Sequence, residues 1–213
     1  MSQGQRIKFF GTVFSVVSAW GAGAAFTSIS NANPAVITDT AHGLTDNTVI
    51  RIQGVVGMEE INGQVVPIEV IDANSYRLLG VDATNYGAYV SGGTVQVATW
   101  SNSCEVTGYT GDSGTTTETE TETNCGKAID FGSPDPGSVS IQFNRAPTDF
   151  QEAMESARKA VATIALRTTL PNNKGISIDI GSITQTGFSA SAGGMWAGSA
   201  TLRRITDRYD LEV

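Results

Sequence analysis

Gly137-Ser-Val-Ser-Ile-Gln-Phe-Asn-Arg-Ala-Pro-Thr-Asp-Phe-Gln-Glu-Ala-Met-Glu-Ser-Ala-Arg-Lys-Ala-Val161 decides the fold class. Val139, Ile141 and Phe143 alternate with Ser140, Gln142 and Asn144, the period of a strand with one apolar face. The period then changes. Thr148 and Gln151 have capping-box spacing, and Phe150, Ala153, Met154, Ala157 and Val161 recur at helical intervals. Glu152 and Glu155 come early and Arg158 and Lys159 late, the order that complements a helix dipole. A helix over about 148–161 is expected to cover the apolar face of a β-sheet, with Val139, Ile141, Phe143, Phe150, Met154 and Ile178 as the helix–sheet core.

Downstream, Pro171-Asn-Asn-Lys-Gly175 reads as a turn closing a hairpin into Ile176, Ile178 and Ile180. Ser177, Asp179 and Gly181 take the opposite face, and a final strand is expected over about 196–208. Upstream, residues 109–125 form a Thr/Glu tract without core-forming side chains, either a mobile loop or a solvated hairpin arm with Glu and Thr on opposite faces. It is able to order by adding β structure to a neighbouring chain. Cys104 and Cys125 bracket it, so a disulfide is conceivable, and free thiols are the default for a chain made in the cytosol.

Residues 27–97 read as a self-contained β module. The runs Phe26–Ser30, Ala35–Thr38, Val49–Gln53, Val65–Ile71, Tyr76–Leu79 and Thr94–Val97 are separated by turn signals such as Asn33-Pro34, His42-Gly43, Asn62-Gly63 and Asp72-Ala-Asn74. Such spacing suggests a small antiparallel barrel or sandwich. Gly21-Ala-Gly23 and Gly92-Gly93 are its junctions, which makes residues 27–97 an insertion between 1–26 and 98–213. The expected class is α+β, mainly β: an antiparallel sandwich or partial barrel with one amphipathic helix, plus a small all-β inserted domain.

Arg6-Ile-Lys-Phe-Phe-Gly-Thr-Val-Phe-Ser-Val-Val-Ser-Ala19 imitates a secretory signal, with small residues at Ala22-Gly-Ala24. Gly11, Thr12, Ser15 and Ser18 interrupt its apolar stretch, and Phe, Val and Ile favour a β-strand, which is the reading adopted.

The chain has 213 residues, 40% of them hydrophobic and 16% charged, and a net charge of −8. That composition supports a packed core rather than disorder, and no run approaches the roughly 18 apolar residues of a membrane span. The acidity is concentrated in 27–136, while the C-terminal third is nearly balanced. An acidic chain does not coat duplex DNA, because such binding neutralises phosphates with Lys and Arg. Two Cys and one His fall short of a four-ligand zinc site unless carboxylates join them, so no cofactor or metal is expected. His42 stands in a turn without a nearby nucleophile, and Glu59-Glu60 reads as a solvated turn rather than a catalytic pair. The Gly-rich stretches lack the Lys-Ser/Thr of a phosphate loop. Asp112 and its neighbours do not follow the EF-hand spacing. Arg203-Arg204 and Arg208 form a modest basic cluster on a strand, suited to salt bridges or solvation. No catalytic residues are expected, and the chain is not expected to be an enzyme.

The order after residue 98 is Trp100-Ser-Asn-Ser-Cys-Glu-Val, a polar loop, Gly137-Ser-Val-Ser-Ile-Gln-Phe, the Ala146-Pro-Thr-Asp-Phe-Gln-Glu-Ala helix, Leu170-Pro-Asn-Asn-Lys-Gly-Ile-Ser-Ile and Ala200-Thr-Leu-Arg-Arg-Ile-Thr. It resembles the tail tube (major tail) protein of long-tailed, non-contractile bacteriophages over about residues 1–20 and 98–213. Ala41-His-Gly-Leu, Gly54-Val-Val-Gly-Met-Glu-Glu-Ile-Asn-Gly63 and Asp72-Ala-Asn-Ser-Tyr-Arg-Leu in the insertion are similar to the first catalytic cysteine half-domain of ubiquitin-activating enzymes. That likeness implies no catalytic role, since the half-domain does not carry the enzyme's nucleophile. The first resemblance implies a structural virion protein, assembled in the host bacterial cytoplasm into stacked homohexameric rings that form a channel for genome ejection. Implied partners are further copies of the chain, a tape-measure protein, tail terminator and tail-tip proteins, and DNA as passing cargo, without membrane insertion. Ser140, Gln142, Asn144 and Asp179 are then candidates to face the lumen. Thr117, Glu118, Glu120 and Glu122 are candidates to reach the next ring, and residues 27–97 to decorate the outer wall. Contractile-tail and secretion-system tubes share this architecture. The rival reading is a secreted β-rich carbohydrate-binding or adhesin module.

Overall fold

A computed structural model describes residues 7–123 and 126–212. In chain order the strands are β1 (Val13–Trp20), β2 (Ala24–Ala25), β3 (Ser28–Ile29), β4 (Val36–Thr38), β5 (Val49–Val56), β6 (Val65–Asp72), β7 (Ser75–Leu78) and β8 (Ser91–Ser103). There follow β9 (Val106–Gly111), β10 (Glu118–Thr123), β11 (Gly126–Phe131), β12 (Ser138–Asn144), helix α1 (Asp149–Ala160), β13 (Thr163–Thr169), β14 (Ile176–Ser189), β15 (Ala197–Arg204) and β16 (Tyr209–Leu211). The chain is α+β and mainly β, with antiparallel pairing between the strands described. It divides into two compact units, Met1–Val16 with Asn102–Val213, and Val17–Ser101.

Within Val17–Ser101 the strand order is β3-β4-β7-β6-β5-β8, with β2 added to β8. The β-branched and aromatic residues of the predicted runs supply the core: Phe26, Ile37, Ile50, Ile52, Ile61, Ile68, Tyr76, Leu78 and Val95 are buried together. Asn62 pins the turn before β6, accepting from Val55 N at 2.8 Å and donating to Val55 O at 2.9 Å.

In the other unit the order is β1-β13-β14-β15-β12-β9, with β16 beside the start of β14 and β10–β11 forming a separate hairpin. On β12, Val139, Ile141 and Phe143 lie opposite Leu202, Ala200 and Gly198 of β15, so these six positions share a face. A Cβ at position 198 would collide with the Phe143 ring, so glycine permits the close packing there. Helix α1 lays Phe150, Met154 and Ala157 on this face, where they join Phe14, Val16, Ile164, Leu166 and Ile183 in one core. Burying Phe150 and Met154 in full contributes on the order of 2 kcal/mol each. The N-cap half of the capping box forms as the sequence predicts, whereas the Gln151 side chain reaches past the Thr148 N–H, which donates to Ala146 O, to the residues before it. Thr148 Oγ1 accepts from Gln151 N at 3.4 Å, while Gln151 accepts from Ala146 N at 3.1 Å and donates to Asn144 O at 2.8 Å.

Two expectations are corrected. Val161 is not part of the helix's buried stripe. It caps the C-terminus in the left-handed conformation (φ 51) and is 79% exposed. The faces of β14 are also the reverse of those expected. Asp179 pairs across with Leu166 and Gly181 with Ile164, so Asp179 lies on the helix side, whereas Ile178 and Ile180 lie opposite Arg167 and Ala165 on the other face. Ile178 is fully buried there, outside the cluster that contains the helix. Ser15, on the same second face, is buried with its Oγ donating to Asn102 Oδ1 at 2.7 Å.

Candidate functional site

Three features of the unit built from Met1–Val16 and Asn102–Val213 bear on function: a polar sheet face, a projecting arm, and a buried ion pair at the root of that arm.

The polar face belongs to β9, β12, β15 and the second half of β14. Ser140 lies opposite Thr110 and Thr201, and Gln142 opposite Gly108 and Ser199. The Ser140 and Thr201 hydroxyls approach to 3.2 Å. A register shift between Ile183 and Gln185 turns the rest of β14 over, which brings Gln185 beside Thr201 and Thr186 beside Ala200 on the helix side. Of the candidates for a channel lining, Ser140, Gln142 and Asn144 share this face, with Gln142 exposed and the others half-buried. Asp179 does not. It is fully buried on the opposite face, so the polar surface carries hydroxyls, amides and the Asp135-paired Arg203 guanidinium, without the carboxylate expected at position 179. β9 ends the strand order, and its outer edge has no strand partner among the described residues.

The Thr/Glu tract takes the hairpin form of its two readings. β9 ends at Gly111, and β10 pairs with β11 from Glu118↔Phe131 to Thr123↔Gly126. Glu118, Glu120 and Glu122 alternate along β10 and are exposed. The register puts Glu118 and Glu120 on one face with Phe131 and Ile129, which are 71% and 52% exposed. Thr117 stands at the base, where its carbonyl accepts from Gly132 N at 2.7 Å. Cys104 is exposed, and its pairing with Cys125 falls outside the described residues.

At the root, Asp112 Oδ1 accepts from Ser138 N at 2.9 Å and Gly114 N at 3.2 Å, and Oδ2 accepts from Ser138 Oγ at 3.1 Å. These bonds, led by that from Ser138 N, hold the Asp112 carboxyl below its ordinary range. Arg203 Nη2 donates to Asp135 Oδ2 at 3.1 Å on the exposed side. Arg204 points the other way and is buried. Its Nε donates to Asp179 Oδ1 at 2.6 Å, and its Nη1 donates to the carbonyls of Asp112 and Pro136, one on each of the two segments leading into and out of the arm. Tyr109 Oη donates to Asp179 Oδ2 at 3.2 Å. Burial raises the Asp179 pKa against the opposing pull of Arg204, and burial followed by the Asp179 charge raises that of Tyr109. One buried guanidinium thus ties the sheet to both roots of the arm. Sequence reasoning grouped Arg204 with Arg203 and Arg208 as surface charge. The available signal was parity, since Ala200, Leu202 and Arg204 alternate on one face.

In the Val17–Ser101 unit, His42 is occupied structurally. Leu44 N donates to Nδ1 at 3.0 Å, Nε2 meets Asp72 O at 2.9 Å, and the ring packs edge-on to Tyr76. Glu60 accepts from Gly87 N at 3.1 Å. Among the described residues no group of His, Cys, Asp and Glu could hold a metal ion, and no helix is long and apolar enough to cross a membrane.

No curated protein matches the chain. Residues 32–98, within the Val17–Ser101 unit, match the family model described as the ubiquitin-activating enzyme E1 FCCH domain, so this module is similar to that domain in sequence.

Proposed function

We propose that the chain is a non-enzymatic structural subunit that assembles with copies of itself into stacked hexameric rings, forming the tail tube of a long-tailed phage through which the genome is delivered. The observation that carries this reading is the asymmetry of one sheet. Its helix side is sealed by Phe150, Met154 and the apolar residues of five strands, while over β12, β15 and the second half of β14 its other side presents Ser140, Gln142, Ser199, Thr201 and Gln185, beside the edge of β9 that has no strand partner among the described residues. A bare edge is an aggregation hazard in a lone molecule, and pairing it with another copy in a closed barrel removes the hazard. On a lining of hydroxyls and amides, with the Arg203 guanidinium paired to Asp135, there is no row of cations to grip phosphates, so DNA passes without adhering. The Val17–Ser101 unit decorates the outer wall in this reading, since a module of that size would obstruct the channel. The partners are a tape-measure protein and the proteins that close the two ends of the tube, and the location is the virion, after assembly in the host bacterial cytoplasm.

Negative-stain electron microscopy of the purified full-length protein tests the proposal. Rings or tubes of uniform diameter are expected at high concentration. A strictly monomeric protein, with or without tail factors, would overturn it.

A further inference from the structure

Between the start of helix α1 and the β14–β15 hairpin lies a groove of about 920 Å³ whose lining includes Arg145, Glu152, Glu155, Lys159, Phe188 and Trp196. Three large apolar side chains are exposed around it: Phe188 at 45%, Trp196 at 58% and Met195 at 76%. The Arg145 guanidinium lies 3.8 Å from the centre of the Phe188 ring and has no carboxylate partner among the described residues. A guanidinium stacked by its face keeps its N–H edge available for a carboxylate. Glu155 does not compete for that edge. Its carboxylate already binds Arg158 at 2.9 Å, Lys159 at 3.5 Å and the Thr186 hydroxyl at 2.8 Å. The groove therefore suits a segment that carries a carboxylate beside exposed apolar side chains.

The same unit carries such a segment. The β10–β11 arm sets Glu118 and Glu120 on one face with Ile129 and Phe131. Its root adjoins Ser138, at the start of β12, whereas the groove adjoins Asn144 and Arg145, at the end of the same seven-residue strand. At roughly 3.3 Å per residue the two lie about 20 Å apart, at opposite ends of the sheet. A contact between surfaces at opposite ends of one molecule is heterologous and propagates from copy to copy along the strand direction.

We propose that the Arg145–Phe188–Trp196 groove receives the β10–β11 arm of a second copy of the chain. An arm carboxylate closes on the Arg145 guanidinium while Phe131 and Ile129 cover Trp196 and Phe188. This rests on the assembly reading above and names the receptor for the arm within it.

The test uses full-length protein at a concentration where the wild type polymerises. Arg145→Glu is expected to lower the sedimenting fraction about tenfold, the scale of losing one close interfacial charge pair. Its circular dichroism melt should be unchanged, and adding Glu118→Arg with Glu120→Arg should restore polymerisation. Independently, Arg145→Lys keeps the charge and introduces an amine. Carbodiimide treatment of a mixture of ¹⁵N-labelled and unlabelled chains should join position 145 to arm carboxylates of the other isotope. Polymerisation of Arg145→Glu at the wild-type level, or cross-links confined to single chains, overturns this contact and leaves the assembly reading standing. A wild type that stays monomeric overturns both.

Discussion

Replacing Arg204 by methionine strips the positive partner from a carboxylate that has no access to water. Asp179 is fully buried, the Arg204 side chain is 2% exposed, and their separation is 2.6 Å. Breaking a buried pair by removing one member typically costs about 3–5 kcal/mol, because the remaining charge is left uncompensated. Arg204→Met also removes the donor to the Asp112 and Pro136 carbonyls, so the loss should extend into the arm's root. Native-state hydrogen exchange of β14, β15 and β9 amides reads the effect locally and does not require the two units to unfold together. At 1.36 kcal/mol per decade, protection should fall by roughly two to three and a half orders of magnitude. The double variant Arg204→Met/Asp179→Leu removes both charges and should return to within about 2 kcal/mol of the native protein, as apolar replacements of buried pairs do. The two sites should thus be strongly coupled in a double-mutant cycle. An Arg204→Met cost below about 1 kcal/mol, or a double variant no more stable than the single one, would refute a desolvated pair at this position.

Val161→Gly should stabilise the protein by about 1 kcal/mol, because an exposed β-branched residue is held at φ 51 and glycine relieves the left-handed penalty; a shift of the urea midpoint of this unit to lower concentration would contradict the cap assignment. Phe150→Asp should unfold the helix-bearing unit, since it buries a carboxylate where a ring is fully enclosed, and loss of protection across β12–β15 is the readout. The Glu155 carboxyl is held down to about 2 from an ordinary 4.5, first by the Arg158 hydrogen bond and then by that from Thr186. A depressed carboxyl contributes stability that is present above its unfolded pKa and lost as pH falls through its folded value. Glu155→Gln should therefore lower stability at pH 7 and flatten its decline between about pH 4.5 and 2, and an unchanged acid limb in pH-dependent denaturation would count against the Glu155–Arg158–Thr186 cluster.

The sequence was most informative where a pattern has a single physical solution. Alternation over 139–143, followed by the Thr148/Gln151 box and helical spacing from Phe150, is satisfied by a strand leading into a covering helix, and both form. Each run of the inserted module likewise overlaps a strand, although Phe26–Ser30 yields only β3 (Ser28–Ile29) and Thr94–Val97 is the middle of β8, which passes straight through Gly92-Gly93. Alternation says which residues share a face but not which face the helix covers. For β14 that choice is made by its register with β13, where Leu166 stands opposite Asp179. Three isoleucines in alternation therefore pointed to the wrong side, and Asp179 was mistaken for a surface charge. Both faces of that stretch are buried, so its alternation lacks the solvent contrast on which the pattern depends. Neighbouring Arg203 and Arg204 show the same limit, since adjacent strand residues diverge to opposite faces and only one of the two reaches the core. The helical stripe was read one residue too far at Val161, where the C-cap leaves the helix and its side chain faces solvent.

Cryogenic electron microscopy of the assembled protein at side-chain resolution tests the central claim most directly. The account predicts a hollow cylinder whose inner wall carries Ser140, Gln142 and Thr201, with the outer edge of β9 hydrogen-bonded to a strand from an adjacent subunit. Particles in which that edge faces water, or an assembly that turns Gln142 and Thr201 toward the outside, would contradict it.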